Sequence, residues 1–263
     1  MLQATRVFKF EVTRQNRMRW LNSYCFRRTS AILASLASCG HSDDDPRVDA
    51  LWPSTDEGEA RSITIPVSAF AAHLDDAQAT IRVNAVLHVC SAFESLLDGL
   101  LMLGAMYSPA SFPTTRKQTA IPAALGDPKK LTALVGACEQ LASGKTTRLK
   151  GAYSGRIQSL CTSFGLSAPK GYGGLDQYYT KRHVVAHDQS LSKASSPLHS
   201  YQDIVASQIL VSDVEWRALM KDFLDIARAL DREFVSTLVT DSGLAIAVHQ
   251  VLAASTPITI GKV

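Results

Sequence analysis

The feature that most constrains the fold is a long stretch, residues 68–107, that is apolar around most of a helix. Within it, apolar side chains recur at spacings of three and four, the period of an α-helix. These are Val86, Cys90, Phe93, Leu97, Leu100 and Leu101, with Leu87, Leu96 and Leu103 beside that stripe. A helix apolar on most sides must be surrounded by protein. We therefore predict a central helix, with a break near Asp75 and Asp76 and close packing at Gly99.

The clearest second element is a C-terminal amphipathic helix. Ser212 and Glu215 have the spacing of a capping box, and apolar residues from Trp216 to Phe234 then keep to one face. Similar patterns predict helices near residues 127–143, 148–164 and 175–187, separated by loops rich in glycine and proline. Strand signals, such as residues 63–65, are too short to build a sheet. The predicted fold is all-α, a helical bundle.

Composition divides the chain into four parts. Residues 1–40 form a basic N-terminal arm of uncertain order, and residues 41–66 form an acidic linker. Residues 67–240 form the helical domain, and residues 241–263 form an apolar tail to which no role is assigned. Within the arm, Leu36–Cys39 resembles a lipoprotein cleavage box, whereas the competing interpretation is a small surface helix. No apolar run approaches the length of a bilayer span, so no membrane association is expected.

Charge and cysteine usage narrow the class of protein. The formal net charge is only +3, but residues 145–187 carry seven basic side chains against one acidic one, a pattern suited to a polyanion. The five cysteines are an odd number and contain no CxxC pair. This usage indicates a reducing, cytoplasmic setting without a disulfide framework or a structural zinc site.

Two common motifs are considered and set aside. Gly144-Lys145-Thr146 resembles the end of a phosphate-binding loop, but Glu139 stands where that loop needs a glycine. His183 and His187 have the i, i+4 spacing of zinc ligands. The metalloprotease motif needs a glutamate directly after the first histidine, and valine stands there. A third ligand from elsewhere is the open alternative, but we predict no metal.

The segment Arg182-His183-Val184-Val185-Ala186-His187 fits a different pattern: arginine, a polar residue, three variable residues and histidine. With the helices around it, residues 80–238 resemble the HEPN superfamily (higher eukaryotes and prokaryotes nucleotide-binding), in its ribonuclease-like branch near the RiboL-PSP-HEPN type. The resemblance implies a HEPN-type bundle and a metal-independent endoribonuclease without cofactors, such as a toxin or antiviral-defence effector. It also implies that Arg182, His183 and His187 are catalytic.

The chemistry of these residue types agrees with that activity. Metal-free RNA cleavage needs a base for the 2′-hydroxyl, a cation for the phosphate and an acid for the leaving oxygen. Histidine titrates near neutrality, and arginine binds phosphate oxygens in a fork. On one helix Arg182 and His187 stand about 140° apart. The resemblance implies a homodimer that brings two copies together at one cleft.

Other residues are assigned supporting roles. His88 and Asp98, which lie on a polar line of the central helix, and Glu94 beside that line are expected to border the cleft. Lys181, Lys170 and Arg156 are expected to contact the RNA backbone. The expected partners are RNA, a second copy and an antitoxin or immunity protein. Two alternatives stay open: a non-catalytic HEPN module that binds RNA, a nucleotide or a protein, and a purely structural motif in which Arg182 pairs with an acid and His187 is half-buried.

Overall fold

The computed structural model describes residues 1–39, 47–52, 61–108, 149, 151–188 and 212–239. These residues are mostly helical, as the sequence predicts. The elements in chain order are α1 (Gln3–Cys39), β1 (Arg47–Trp52), β2 (Arg61–Pro66), α2 (Val67–Tyr107), α3 (Tyr153–Phe164), a 3₁₀ turn (Tyr172–Leu175), α4 (Asp176–Asp188) and α5 (Asp213–Leu238). The predicted helix at 127–143 and the tail at 241–263 lie outside the described residues.

The predicted central helix is α2, which continues through Asp75 and Asp76 without the expected break. Two aspartates lower helix propensity by only a few tenths of a kcal/mol each, and the neighbouring alanines favour the helix. From Thr80 to Tyr107 this helix is also long and apolar enough to cross a bilayer, contrary to the expectation that no run approaches that length. Half of its most apolar window is buried, and a core helix has the same composition, so this is weak evidence about membranes.

The chain forms two compact units, and their borders differ from the predicted domains. The first contains Met1–Val12, Val89–His183 and Val214–Val263, and the second contains Thr13–His88 and Val184–Asp213. The first unit is built on a cluster of aromatic rings around Phe93. The ring of Phe93 meets Phe223 at 4.8 Å and Tyr153 at 5.3 Å, both edge to face. This geometry stabilises aromatic pairs beyond the area they bury.

Two glycines of α2 allow close packing in the first unit. The Cβ of Ala4 lies 3.0 Å from where a Gly99 side chain would begin, which confirms the close approach predicted there. A Cβ on Gly104 would overlap the ring of Phe164, a buried residue at the end of α3. Gly165 then ends α3 in the left-handed conformation, at a φ of 65°, which glycine adopts without strain.

The second unit contains an antiparallel hairpin that the sequence did not predict. β1 pairs with β2 from Arg47 opposite Pro66 to Trp52 opposite Arg61. The expectation that the strand signal at residues 63–65 is too short to build a sheet was therefore wrong. The β-branched residues of β2, Ile63, Thr64 and Ile65, favour extended backbone. Two antiparallel strands also need only a short connection between them. The predicted acidic linker thus holds two strands.

The N-terminal arm of uncertain order is α1, a helix of 37 residues. In the second unit its buried face is largely polar: Gln15, Arg19 and Ser23 are all less than a tenth exposed. The guanidinium of Arg19 is 2.8 Å from Asp213, the first residue of α5. This pair fixes α1 to the start of α5, at the position that follows Ser212. The lipoprotein box at residues 36–39 is part of α1 in the structure.

Candidate functional site

The motif helix α4 is held in place by the residues at its beginning. Asp176, in its first turn, accepts hydrogen bonds from the backbone N–H of Ser154 at 2.8 Å and from the Ser154 hydroxyl. Two residues on, the buried Tyr178 donates a hydrogen bond from its hydroxyl to Asp222 of α5 at 3.0 Å. Burial and this carboxylate raise the pKa of Tyr178, so its hydroxyl stays a donor at neutral pH. These bonds fix the rotation of α4 about its axis.

Arg182 is the central residue of the candidate site. Its guanidinium lies 3.1 Å from Glu94 of α2, and the same carboxylate lies 3.5 Å from Arg156 of α3. Glu94 and Arg156 are each 15% exposed and Arg182 is 27% exposed, so water reaches the cluster from one side. Two guanidiniums share one carboxylate. We call these three residues the arginine–glutamate cluster, and its formal charge is +1.

Arg156 is oriented by contacts besides Glu94. Its Nε donates a hydrogen bond to the carbonyl oxygen of Gly151 at 2.8 Å. The guanidinium carbon also lies 5.6 Å from the ring centre of Tyr179 and 6.0 Å from that of Tyr153. A cation over an aromatic face is attracted by the electrons of the ring. Arg156 therefore has a fixed position beside Arg182 and is more than a solvated surface charge.

His183 extends this arrangement toward solvent. Its ring stacks on Tyr179, one helical turn earlier, with centroids 6.1 Å apart and planes 22° from parallel. His183 is exposed and Tyr179 is half-buried. The arginine–glutamate cluster therefore lies beside an accessible imidazole. That imidazole stacks on the Tyr179 ring, which Arg156 also contacts. Flat rings beside guanidiniums are the groups that stack nucleobases and bind phosphates.

A neutral layer lies beneath the cluster. Burial raises the pKa of the Cys90 thiol to about 11. Burial also raises the pKa of the Tyr153 hydroxyl, which lies near that thiol. Neither group ionises near neutral pH, so neither adds a negative charge to the cluster. Among the described residues, Glu94 is the acid that lies between the two arginines. Its attraction to them is strengthened by the low polarity of this layer.

The remaining predicted site residues are distributed differently. Lys181 lies 3.5 Å from Glu215 in an exposed pair, and Lys170 is exposed on the loop before α4. Asp98 is half-buried one turn beyond Glu94. His88 is exposed and belongs to the second compact unit.

His187 is at the C-terminal end of α4, and its side chain lies outside the described residues. Among the described residues, no group of three or more His, Cys, Asp or Glu side chains is placed to hold a metal ion.

Sequence reasoning missed Tyr179 and Tyr153. A signal for Tyr179 was present, because a tyrosine four residues before His183 shares its helical face. Tyr153 had no such signal, since its role depends on packing between distant helices. Comparison with known proteins adds no relative: no family model, curated protein or solved structure matches this chain.

Proposed function

We propose that this chain is a metal-independent endoribonuclease of the HEPN type, acting in the cytoplasm as a toxin or antiviral-defence effector. The observation that carries the proposal is the arginine–glutamate cluster. One carboxylate neutralises only one of its two guanidiniums, so one positive charge remains. The exposed His183 lies next to this cluster. A phosphodiester carries one negative charge and therefore matches the one excess positive charge of the cluster.

In this proposal Arg182 binds the phosphate and stabilises the charge that develops on its oxygens. His187 exchanges protons with the 2′-hydroxyl and the leaving 5′-oxygen, and His183 orients the nucleotide against Tyr179. Arg156, Lys170 and Lys181 hold neighbouring phosphates. Glu94 keeps both guanidiniums aligned before RNA arrives.

The same proposal includes a homodimer. Arg182 and His187 diverge on α4 by about 140°, so a second copy related by a two-fold axis is the simplest way to converge both groups on one phosphate. Mixing Arg182→Ala with His187→Ala subunits tests this geometry. Partial recovery of cleavage supports a shared cleft, and a monomeric wild type that cleaves RNA at working concentration contradicts it.

A second candidate function is a non-catalytic HEPN module that binds RNA or a partner. It is favoured by the pairing of Arg182 with Glu94 at 3.1 Å, since a guanidinium already held by a carboxylate can serve packing alone. The two functions differ in what Arg182→Ala does. It abolishes turnover in the enzyme, whereas in the module there is no turnover to lose.

The deciding experiment follows cleavage of labelled RNA by purified wild type, Arg182→Ala and His187→Ala. We expect each substitution to lower the rate by about 10²–10⁴, the usual contribution of an acid–base group or an anion-binding arginine. Arg232→Ala is a matched control outside the cluster and should cleave like wild type. If both site variants also cleave like wild type, the proposal fails; if wild type binds RNA without cutting it, the module is correct.

A further inference from the structure

The exposed apolar side chains of the described residues are concentrated on one helix. The large ones are Met1, Val7, Phe10, Met18, Leu21, Tyr24, Ile32 and Val214. All except Val214 lie within the first 32 residues, and all of those except Met1 lie on α1. Isolated exposed apolar residues are ordinary, but a concentration of them on one element marks a binding surface.

Four of these residues lie in the second unit and, together with three exposed arginines and a cysteine, form a continuous face that we call the α1 patch. Its members are Arg14, Arg17, Met18, Leu21, Tyr24, Cys25, Arg28 and Ile32, all exposed. Successive members are separated by one, three or four residues, so they follow one side of the helix. From Arg14 to Ile32 this side is about 27 Å long at the rise of an α-helix. That is the length of an ordinary helix laid alongside it.

The patch is separate from the face of α1 that packs inward. Gln15, Arg19, Ser23 and Leu33 are buried at 8%, 1%, 5% and 5% exposure, and they lie on the opposite side of the helix. The Arg19–Asp213 pair holds that inner face. The α1 patch is therefore an outer face of an anchored helix, with Leu21 57% and Tyr24 68% exposed.

The chemistry of the patch indicates the kind of partner. Arginine, methionine and tyrosine are enriched at the centres of protein interfaces, where lysine and acidic residues are depleted. Residues 13–39 contain five arginines and no aspartate, glutamate or lysine. A partner must therefore offer apolar side chains together with carboxylates.

Other occupants fit less well. A second copy would set arginines against arginines, which is repulsive. A bilayer favours helices with basic residues on the polar side of an apolar face, but Arg17 and Arg28 stand among the apolar residues. Single-stranded RNA would cover Met18, Leu21 and Ile32 with phosphates and sugars, and Tyr24 is the one aromatic ring of the patch to stack on.

We propose that the α1 patch docks an acidic amphipathic helix of a partner protein. Leu21, Met18 and Ile32 receive its apolar face, and Arg17 and Arg28 pair with carboxylates on its flanks. The proposal concerns a surface other than the arginine–glutamate cluster and does not depend on RNA cleavage. A chain that cleaves no RNA leaves it standing, and a chain that cleaves RNA can still lack it.

The test uses a synthetic helical peptide of about three heptads, with leucine at the core positions and glutamate on both flanks. Binding to the full chain is measured by fluorescence anisotropy. We expect a micromolar Kd that weakens with salt, and at least tenfold weaker binding of the same peptide with lysine in place of glutamate. Equal binding of the two peptides, or no binding of the acidic one, overturns the proposal.

Variants locate the binding on the protein. Leu21→Ser, an exposed change that leaves the inner face intact, should weaken binding about tenfold, and Arg17→Glu with Arg28→Glu should weaken it further. Arg232→Glu on α5 is the matched charge reversal outside the patch and should bind like wild type. Alkylation of Cys25, followed by peptide mapping, should slow when the acidic peptide is bound.

Three results contradict the proposal. The first is that anionic phosphatidylglycerol vesicles or a single-stranded RNA bind through Leu21 and Arg28 in preference to the peptide. The second is that the chain self-associates and Leu21→Ser abolishes this self-association. The third is that the peptide binds but no substitution in the patch alters its binding.

Discussion

Two arginines in this protein are paired with carboxylates in opposite ways. Arg19 is 1% exposed on its side chain and pairs with Asp213, which is 41% exposed. Arg182 is 27% exposed and shares Glu94 with Arg156. In the first pair the arginine is deeply buried and its carboxylate partner reaches solvent. In the second the arginine reaches solvent and one positive charge remains.

We interpret the first arrangement as an anchor and propose the second as a binding site. Removing one partner from a buried pair leaves an uncompensated charge, so the cost falls on folding. A partly exposed cluster with excess charge contributes less to stability, because water screens it, but it can accept an anion. The first arrangement should respond to mutation in stability and the second in ligand binding and turnover.

The largest effect should come from breaking each pair and comparing the outcomes. Arg182→Ala should lower RNA cleavage by about 10²–10⁴ and change the free energy of unfolding by less than about 1 kcal/mol. Asp213→Ala should cost about 2 kcal/mol of stability, at the low side because Asp213 is partly exposed, while the folded fraction cleaves normally. Urea unfolding and single-turnover cleavage on the same preparations check both. If Arg182→Ala mainly lowers stability and Asp213→Ala mainly lowers cleavage, the roles assigned to the two pairs are contradicted.

A smaller effect is expected from neutralising the shared carboxylate. Glu94→Gln raises the formal charge of the arginine–glutamate cluster from +1 to +2 while keeping the shape of the side chain. RNA should bind severalfold more tightly at low salt, with a steeper dependence of affinity on salt by about one phosphate contact. Cleavage should fall modestly as Arg182 loses its alignment. Asp225→Asn, on an exposed carboxylate of α5, is the matched control, and equal salt slopes for Glu94→Gln and wild type would contradict the assignment.

The sequence predicted the parts of this fold that periodicity governs. α2, α4 and α5 occur where apolar spacing placed them, Gly99 packs closely, and Cys90 and Cys161 are buried. The motif residue Arg182 and the candidate cleft residue Glu94 were also selected. The contact between Arg182 and Glu94 was not predicted, because helical periodicity identifies a face of a helix but not the distant residue that contacts it.

The missed elements have a physical explanation. α1 buries Gln15, Arg19 and Ser23, so its inner face looks polar in sequence and its helical pattern is weak. The burial of Arg19 is decided by Asp213, which lies 194 residues away. The hairpin was missed because its strands stand among prolines and acidic residues that are typical of a linker.

The smallest expected effect concerns pH. The hydrogen bond from Arg19 is the main cause that lowers the pKa of Asp213 below its usual value of 3.8. A carboxylate with a lowered folded pKa stabilises the protein above its unfolded pKa, and that stability is lost as pH falls through the folded value. The gap in unfolding midpoint between wild type and Asp213→Asn should therefore be constant from about pH 7 to pH 5 and close below about pH 4. Urea titrations across that range check it, and a gap that widens in acid would contradict it.

The central claim is that the arginine–glutamate cluster and the α4 histidines cleave RNA without a metal. Its most direct test is the end chemistry of RNA cut by purified protein in excess EDTA. Attack by the 2′-hydroxyl predicts undiminished cleavage, with a 2′,3′-cyclic phosphate on one product and a free 5′-hydroxyl on the other, and neither product from Arg182→Ala. Cleavage that stops in EDTA and returns with zinc or magnesium, or products that carry a 5′-phosphate, would contradict it.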